Sequence, residues 1–172
     1  YLAVKGGFQT EIKLKSRSFY QNITKNYLLK KGDLLPILSI HEELSTSNAS
    51  IKFPNYHFDS KEIFCYKGPE FELLNEYQKK ILFKNSFTIS KDINRIGFKL
   101  EELMENELPQ ILTSAVFPGT VQLTPSGKLI VLMRDCQVTG GYPRILQLSE
   151  KSINQFAQKT TNDTFRFSLL ES

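Results

Sequence analysis

The chain has 172 residues, with 22 Lys plus Arg against 18 Asp plus Glu and a formal charge of +4. Hydrophobic residues make up 40% and charged residues 23%, values that exclude wholesale disorder and allow a real core. The lysines are scattered without a sustained basic stripe, which speaks against a nucleic-acid-binding role.

In chain order, the short apolar or alternating runs predict a mainly β protein. Leu2 to Val4 ends at Gly6-Gly7, and Leu34 to Leu38 follows the turn Lys31-Gly32-Asp33. The apolar start, without Met or a charged n-region, is not a signal peptide and suggests a chain cut inside a strand. Residues 41–61, polar and weakly patterned, are expected to form a loop or linker. Ile63 to Tyr66 ends at Gly68-Pro69. Phe71, Leu74, Tyr77, Gln78 and Ile81 then recur at helical spacing, predicting a helix over 70–82. Val121 to Leu123 and Leu129 to Met133, joined by Pro125-Ser126-Gly127, read as a hairpin. Ile145 to Leu148 is a further strand. Ser149 can cap a helix over 149–158 whose Ile153, Phe156 and Ala157 share a face. In the last strand, Phe165 and Phe167 alternate with Arg166 and Ser168.

Several chemistries are excluded or weakened. The two cysteines, Cys65 and Cys136, form neither a disulfide framework nor a CxxC pair, and a reducing, cytoplasmic location is expected. His41 and His57 are too few for a His-rich metal site, and no metal is expected. No run approaches the roughly 18 apolar residues of a membrane-spanning helix. Ser126-Gly127-Lys128 resembles part of a phosphate-binding loop. Gly119 stands too far upstream, Leu129 replaces the Ser/Thr and a strand follows, so a hairpin turn is expected. The Asn-x-Ser/Thr triplets at Asn22, Asn48 and Asn162 are chance matches in an unsecreted chain.

The informative stretch is 90–145. If extended, Asp135, Gln137 and Thr139 alternate onto one strand face running into Gly140-Gly141. Such a cluster can line a pocket, with the glycine N–H groups approaching a ligand; a solvent-facing strand side ending in a tight turn has the same pattern.

Three segments here carry a family resemblance: Asn94-Arg95-Ile96-Gly97-Phe98-Lys99-Leu100, Val116-Phe117-Pro118-Gly119-Thr120-Val121-Gln122, and Asp135-Cys136-Gln137-Val138-Thr139-Gly140-Gly141-Tyr142-Pro143. They resemble motifs of the family variously called allophanate hydrolase subunit 2, biotin-dependent carboxyltransferase and the C subunit of 5-oxoprolinase. Tyr1 to Gly7, Lys15-Ser16-Arg17-Ser18-Phe19 and Asn162 to Phe167 are similar to its other motifs, so the match runs end to end. Asn94 stands for the family's Asp, Val138 for Thr and Phe19 for Thr.

The resemblance implies a cyclophilin-like β-barrel, and a C-terminal part of a longer protein that pairs with a homologous subunit (allophanate hydrolase subunit 1, or the B subunit of 5-oxoprolinase). It implies a share in ATP-dependent opening of 5-oxo-L-proline to L-glutamate, with ATP used by the complex. Alternatives are biotin-dependent carboxyl transfer to urea, an allophanate hydrolase-type subunit, and a non-catalytic regulatory subunit. Met104 is followed by Glu105 and Met133 by Arg134, so the biotin-carrying Lys between two Met residues is absent from this chain. On this reading Asp135 orients or deprotonates a nucleophile, and Arg95 holds a substrate carboxylate or forms a structural ion pair. Gln137, Thr139, Tyr142, Arg17 and Gln122 bind substrate, and the N–H groups of Gly140 and Gly141 face the oxyanion.

Overall fold

A computed structural model describes residues 2–18, 22–25, 29–39 and 60–170. The chain divides into two compact units, 1–51 and 52–172. The loop or linker expected at 41–61 lies, except for Ser60 and Lys61, outside the described residues. So do Tyr1, Phe19, His41, Asn48 and His57.

The first unit does not form the strands expected at Leu2 to Val4 and Leu34 to Leu38. Its described residues make only two isolated bridges, Phe8 with Ile37 and Lys13 with Ser16. Leu14 and Lys15 both have positive φ, which makes the Lys13–Ser16 link a two-residue turn of the kind that suits a hairpin. Leu2, Leu14 and Leu34 stay exposed within it, so their apolar runs mark surface rather than core.

The second unit is a closed barrel. Its strands are β1 (Glu62–Lys67), β2 (Phe87–Ile93), β3 (Gly97–Leu103), β5 (Thr120–Leu123), β6 (Lys128–Leu132), β8 (Arg144–Leu148) and β9 (Thr164–Leu169), ordered β1-β8-β5-β6-β3-β2-β9. A separate two-stranded ribbon joins β4 (Ser114–Ala115) to β7 (Thr139–Gly140). β9 closes the barrel, pairing antiparallel with β2 and parallel with β1. The mainly β barrel with two short helices expected from sequence is what the chain forms.

Alternation sets the inside. Ile89, Leu100, Val121, Leu123, Val131, Phe165 and Phe167 point into one apolar core. Helix α2 (Glu150–Phe156), capped by the Ser149 hydroxyl accepting from the Ser152 N–H, adds Ile153 and Phe156 to that core. Phe156 meets Phe98 and Phe165 at centroid distances of 5.4 and 5.1 Å, the latter edge-on. Such burial contributes about 25 cal/mol per Å² of apolar surface and is the main stabilising term.

The helix expected over 70–82 is two pieces: a 3-10 turn, Phe71–Leu73, then α1 (Glu76–Lys84). Asn75 divides them. Its side chain accepts from the Gln78 N–H while the Gln78 side chain accepts from the Asn75 N–H, each at 2.8 Å, a reciprocal cap that starts a new helix. Among the described residues no helix is long and apolar enough to cross a membrane.

Candidate functional site

The outer face of the barrel carries the site. On β3, β6 and β5, Lys99, Ile130 and Gln122 stand in one cross-strand row, and Gly97 faces Leu132 in the next. Their neighbours Phe98, Val131 and Val121 point to the core, so this row points outward. A pocket of about 510 Å³ opens over it. Lys91, Asp92 and Asn94 line one side, and Gln137 and Tyr142 belong to the segment around β7.

Bulges place two of these groups. Ile89 pairs with Leu100 but Ile93 with Phe98, so β2 carries two extra residues in between. The insertion breaks alternation and leaves Lys91 and Asp92, neighbours in sequence, both exposed and both on the pocket. The Ser90 hydroxyl accepts the Asp92 N–H at 3.0 Å and fixes the kink. On β8, Ile145 is the extra residue between the pairs Val121–Leu146 and Gln122–Arg144, which sets the register of Gln122.

The ribbon lies over Gln122. Gly140 is needed there: a Cβ on it would stand 2.7 Å from Gln122 Nε2. Gln122 is almost wholly buried, and its Nε2 donates to the Tyr142 carbonyl across a long 3.4 Å. Its Oε1 accepts no hydrogen bond from the described residues, leaving an acceptor at the pocket. Asn94 Oδ1 accepts from the Ile96 and Gly97 N–H groups at 2.8 and 3.2 Å, so this residue shapes the β2–β3 turn.

The Asn94–Leu100 and Asp135–Pro143 segments meet because β6 leads the second alongside the β2–β3 turn. Met133 N–H donates to Ile96 O at 2.8 Å and Asp135 N–H to Arg95 O at 3.0 Å. Arg95 Nε then contacts Asp135 Oδ2 at 2.9 Å, both side chains half exposed or more. Arg95 and Asp135 are thus partners in an ion pair next to the pocket, and neither lines it.

Two expectations need correction. Asp135, Gln137 and Thr139 do not share a strand face: the Cys136 N–H donates to Met133 O, folding 134–135 into a turn before β7 begins at Thr139. Gly140-Gly141 is not a tight turn. Gly140 pairs with Ser114 in the ribbon, Gly141 O accepts from the Ile111 N–H, and neither has positive φ. Neither glycine, nor Thr139, lines the pocket. Arg17 belongs to the first unit, where its guanidinium donates to Thr10 O and, at 3.2 Å, to Gln9 Oε1. Of the expected residues, Gln122, Gln137 and Tyr142 line the pocket together.

Sequence reasoning missed Lys91 and Asp92 as site residues, and also Arg144. Arg144 holds Glu70 through both carboxylate oxygens at 2.7 and 2.9 Å, and its Nη1 donates to Ala115 O in the ribbon at 2.9 Å. It therefore ties the ribbon to the barrel. The Arg144 side chain holds the Glu70 carboxyl below its ordinary value, against an opposing effect of burial. The position of Arg144 directly after Tyr142-Pro143 was the available signal. Among the described residues no cluster of acidic, His or Cys side chains is arranged to hold a metal ion.

The Gly127-Lys128 turn does not form a phosphate cradle. The Gly127 N–H donates to Thr124 O and the Lys128 N–H to Thr124 Oγ1, so both point inward.

The family described as "Carboxyltransferase domain, subdomain A and B" matches residues 1–169, and the chain belongs to that family. It is 30% identical over 164 residues to the C subunit of 5-oxoprolinase from Escherichia coli (strain K12), covering 92% of this chain and 52% of that protein. It is also 30% identical over 176 residues to the C subunit of the Haemophilus influenzae 5-oxoprolinase, covering 97% and 54%. The chain thus spans about half the length of the curated relatives it matches. The Kluyveromyces lactis urea carboxylase crystal structure shares the fold, with a TM-score of 0.64 and 18% identity over 97% of this chain and 17% of that one.

Proposed function

We propose that this chain is the C-terminal part of a 5-oxoprolinase subunit, acting with a homologous partner subunit to open 5-oxo-L-proline to L-glutamate at the expense of ATP. The observation that carries this reading is the identity to the C subunit of 5-oxoprolinase along nearly the whole chain. The pocket agrees with it in chemistry. Its cationic side chains suit a carboxylate, and the amides of Gln122 and Gln137 suit a lactam, which offers one N–H and one C=O. Opening the ring adds water across its amide C–N bond, giving a second carboxylate and an amine. Gln122 and Gln137 orient the ring, while Tyr142 closes one side. The Arg95–Asp135 pair stands beside them, where its guanidinium holds the carboxylate in place and the carboxylate can orient a nucleophile.

ATP does not fit the Gly127 turn, whose N–H groups are used internally.

The test uses the full-length protein, the homologous partner, the third subunit and ATP. Release of glutamate from 5-oxoproline, dependent on this subunit, is the expected result. The family description and the urea carboxylase likeness support a second reading, carboxyl transfer from a biotin carried on another chain. Urea-dependent turnover of carboxybiotin would favour that reading, and activity in neither assay would favour a regulatory subunit.

A further inference from the structure

We propose that Lys91 is the residue that selects an anionic substrate in the outer-face pocket, by pairing with its carboxylate; this rests on the 5-oxoprolinase reading for the identity of the ligand. The pocket presents two lysines and one aspartate. Lys99 Nζ already contacts Asp92 Oδ2 at 3.3 Å, so that cation is answered within the protein. Arg95, the sequence-based candidate for the carboxylate, is held by Asp135 and does not line the pocket. Among the described residues Lys91 has no carboxylate or hydrogen-bond partner. It is thus the pocket's uncompensated charge, and the balance of the three groups is one positive charge, matching a monoanion.

The backbone supports this assignment independently. In an unbroken strand, neighbours such as Lys91 and Asp92 would face opposite sides of the sheet. The two-residue bulge between Ile89 and Ile93 turns both toward the pocket, and the Ser90 hydroxyl and the Thr161 hydroxyl (to Ser90 O, 3.3 Å) hold it in place. Bulges of this kind re-aim side chains beside functional sites. With Lys91 on β2, Gln122 on β5 and Gln137 ahead of β7, the pocket offers a ligand one cation and two amides.

The test is made on the assembled complex of full-length subunits, with Lys91→Gln and Lys91→Arg. A charge-assisted hydrogen bond accounts for a change of about ten- to a hundredfold. Lys91→Gln is therefore expected to raise the KM for 5-oxoproline by that factor with kcat changed less than about threefold. Lys91→Arg restores most of the loss. Binding of the uncharged lactam 2-pyrrolidinone, measured by titration, is unchanged in both variants. Because Lys91 is exposed, the melting temperature is unaffected, which separates the effect from misfolding. An unchanged KM in Lys91→Gln, or equal weakening of 2-pyrrolidinone, overturns the assignment. If the wild-type complex neither binds nor turns over 5-oxoproline, titration with acetate, lactate and 2-oxoglutarate decides: loss of monocarboxylate binding in Lys91→Gln alone upholds Lys91 while removing the 5-oxoprolinase reading, and no such loss removes both.

Discussion

Replacing Gly140 with Ala probes how the ribbon is seated on the barrel. The new Cβ would stand 2.7 Å from Gln122 Nε2 and 3.4 Å from Val116 Cγ1. The first contact falls roughly an ångström inside the about 3.5–4.0 Å optimum for non-bonded heavy atoms. Gly140 does not have positive φ, so the cost is steric and involves no backbone strain. Gln122 is 2% exposed and has little room to retreat. Overpacking at such a position costs about 1–3 kcal/mol. For a chain of this length each kcal/mol corresponds to about 2–4 °C in melting temperature. Gly140→Ala is therefore expected to melt several degrees lower, and to lose turnover well below that temperature because Gln122 lines the pocket. A thermal double-mutant cycle makes the cause explicit. In a Gln122→Ala background only the 3.4 Å contact with Val116 Cγ1 remains, close to ordinary van der Waals distance, and the cost of Gly140→Ala should fall below about 0.5 kcal/mol. Equal costs in the two backgrounds would refute the contact as the reason for glycine at 140.

Three further outcomes follow from groups around the barrel. Glu70 is held below its ordinary value of 4.5 by Arg144, so its contribution is present above that pH and is lost as pH falls through the lower folded value; Glu70→Gln should cost about 2 kcal/mol at pH 7 and flatten the acid side of a melting-temperature-against-pH curve. Asp135→Ala removes a solvent-exposed ion pair with Arg95 and should lower stability by at most about 1 kcal/mol; a stable variant with full turnover in the assembled complex takes Asp135 out of the chemistry. Burial pushes the Cys65 thiol up to about 12, whereas Cys136 is only partly covered. Alkylation at pH 8 followed by mass spectrometry should modify Cys136 first and reach Cys65 only on unfolding.

Runs with clean alternation or simple punctuation were readable from the sequence. The β5–β6 hairpin, β8, β9 and the Ser149-capped helix fall where apolar spacing and turn residues place them. β2 and β3 escaped because bulges interrupt their period: Ser90-Lys91-Asp92 sits in one insertion, and the β3–β6 register slips between Lys99 and Leu103. That same interruption hid Lys91 as a site residue. The apolar runs of the first unit misled because an apolar run does not reveal whether it is covered; Leu34 is 94% exposed. At the site, Arg95 stands beside Asp135 and Gln122 beside Tyr142, all four within segments that the motifs singled out. Periodicity failed at Asp135–Thr139 because a single turn bond, from Cys136 N–H to Met133 O, cancels the alternation on which the shared face depended.

The place of β9 has a consequence for how the molecule is made. β9 lies between β1 and β2, so the unpaired edges of those strands can be satisfied only by residues 164–169. On a ribosome, everything from residue 62 to residue 163 emerges before the ring can shut. Until then β1 and β2 present open edges and Phe87 lacks its ring partners Phe165 and Phe167. Closure by such distant pairing is slow, and the open form is the species exposed to aggregation. A ribosome-stalled chain lacking the last strand should therefore recruit chaperones and resist compaction, and release of a few more residues should convert it in one cooperative step.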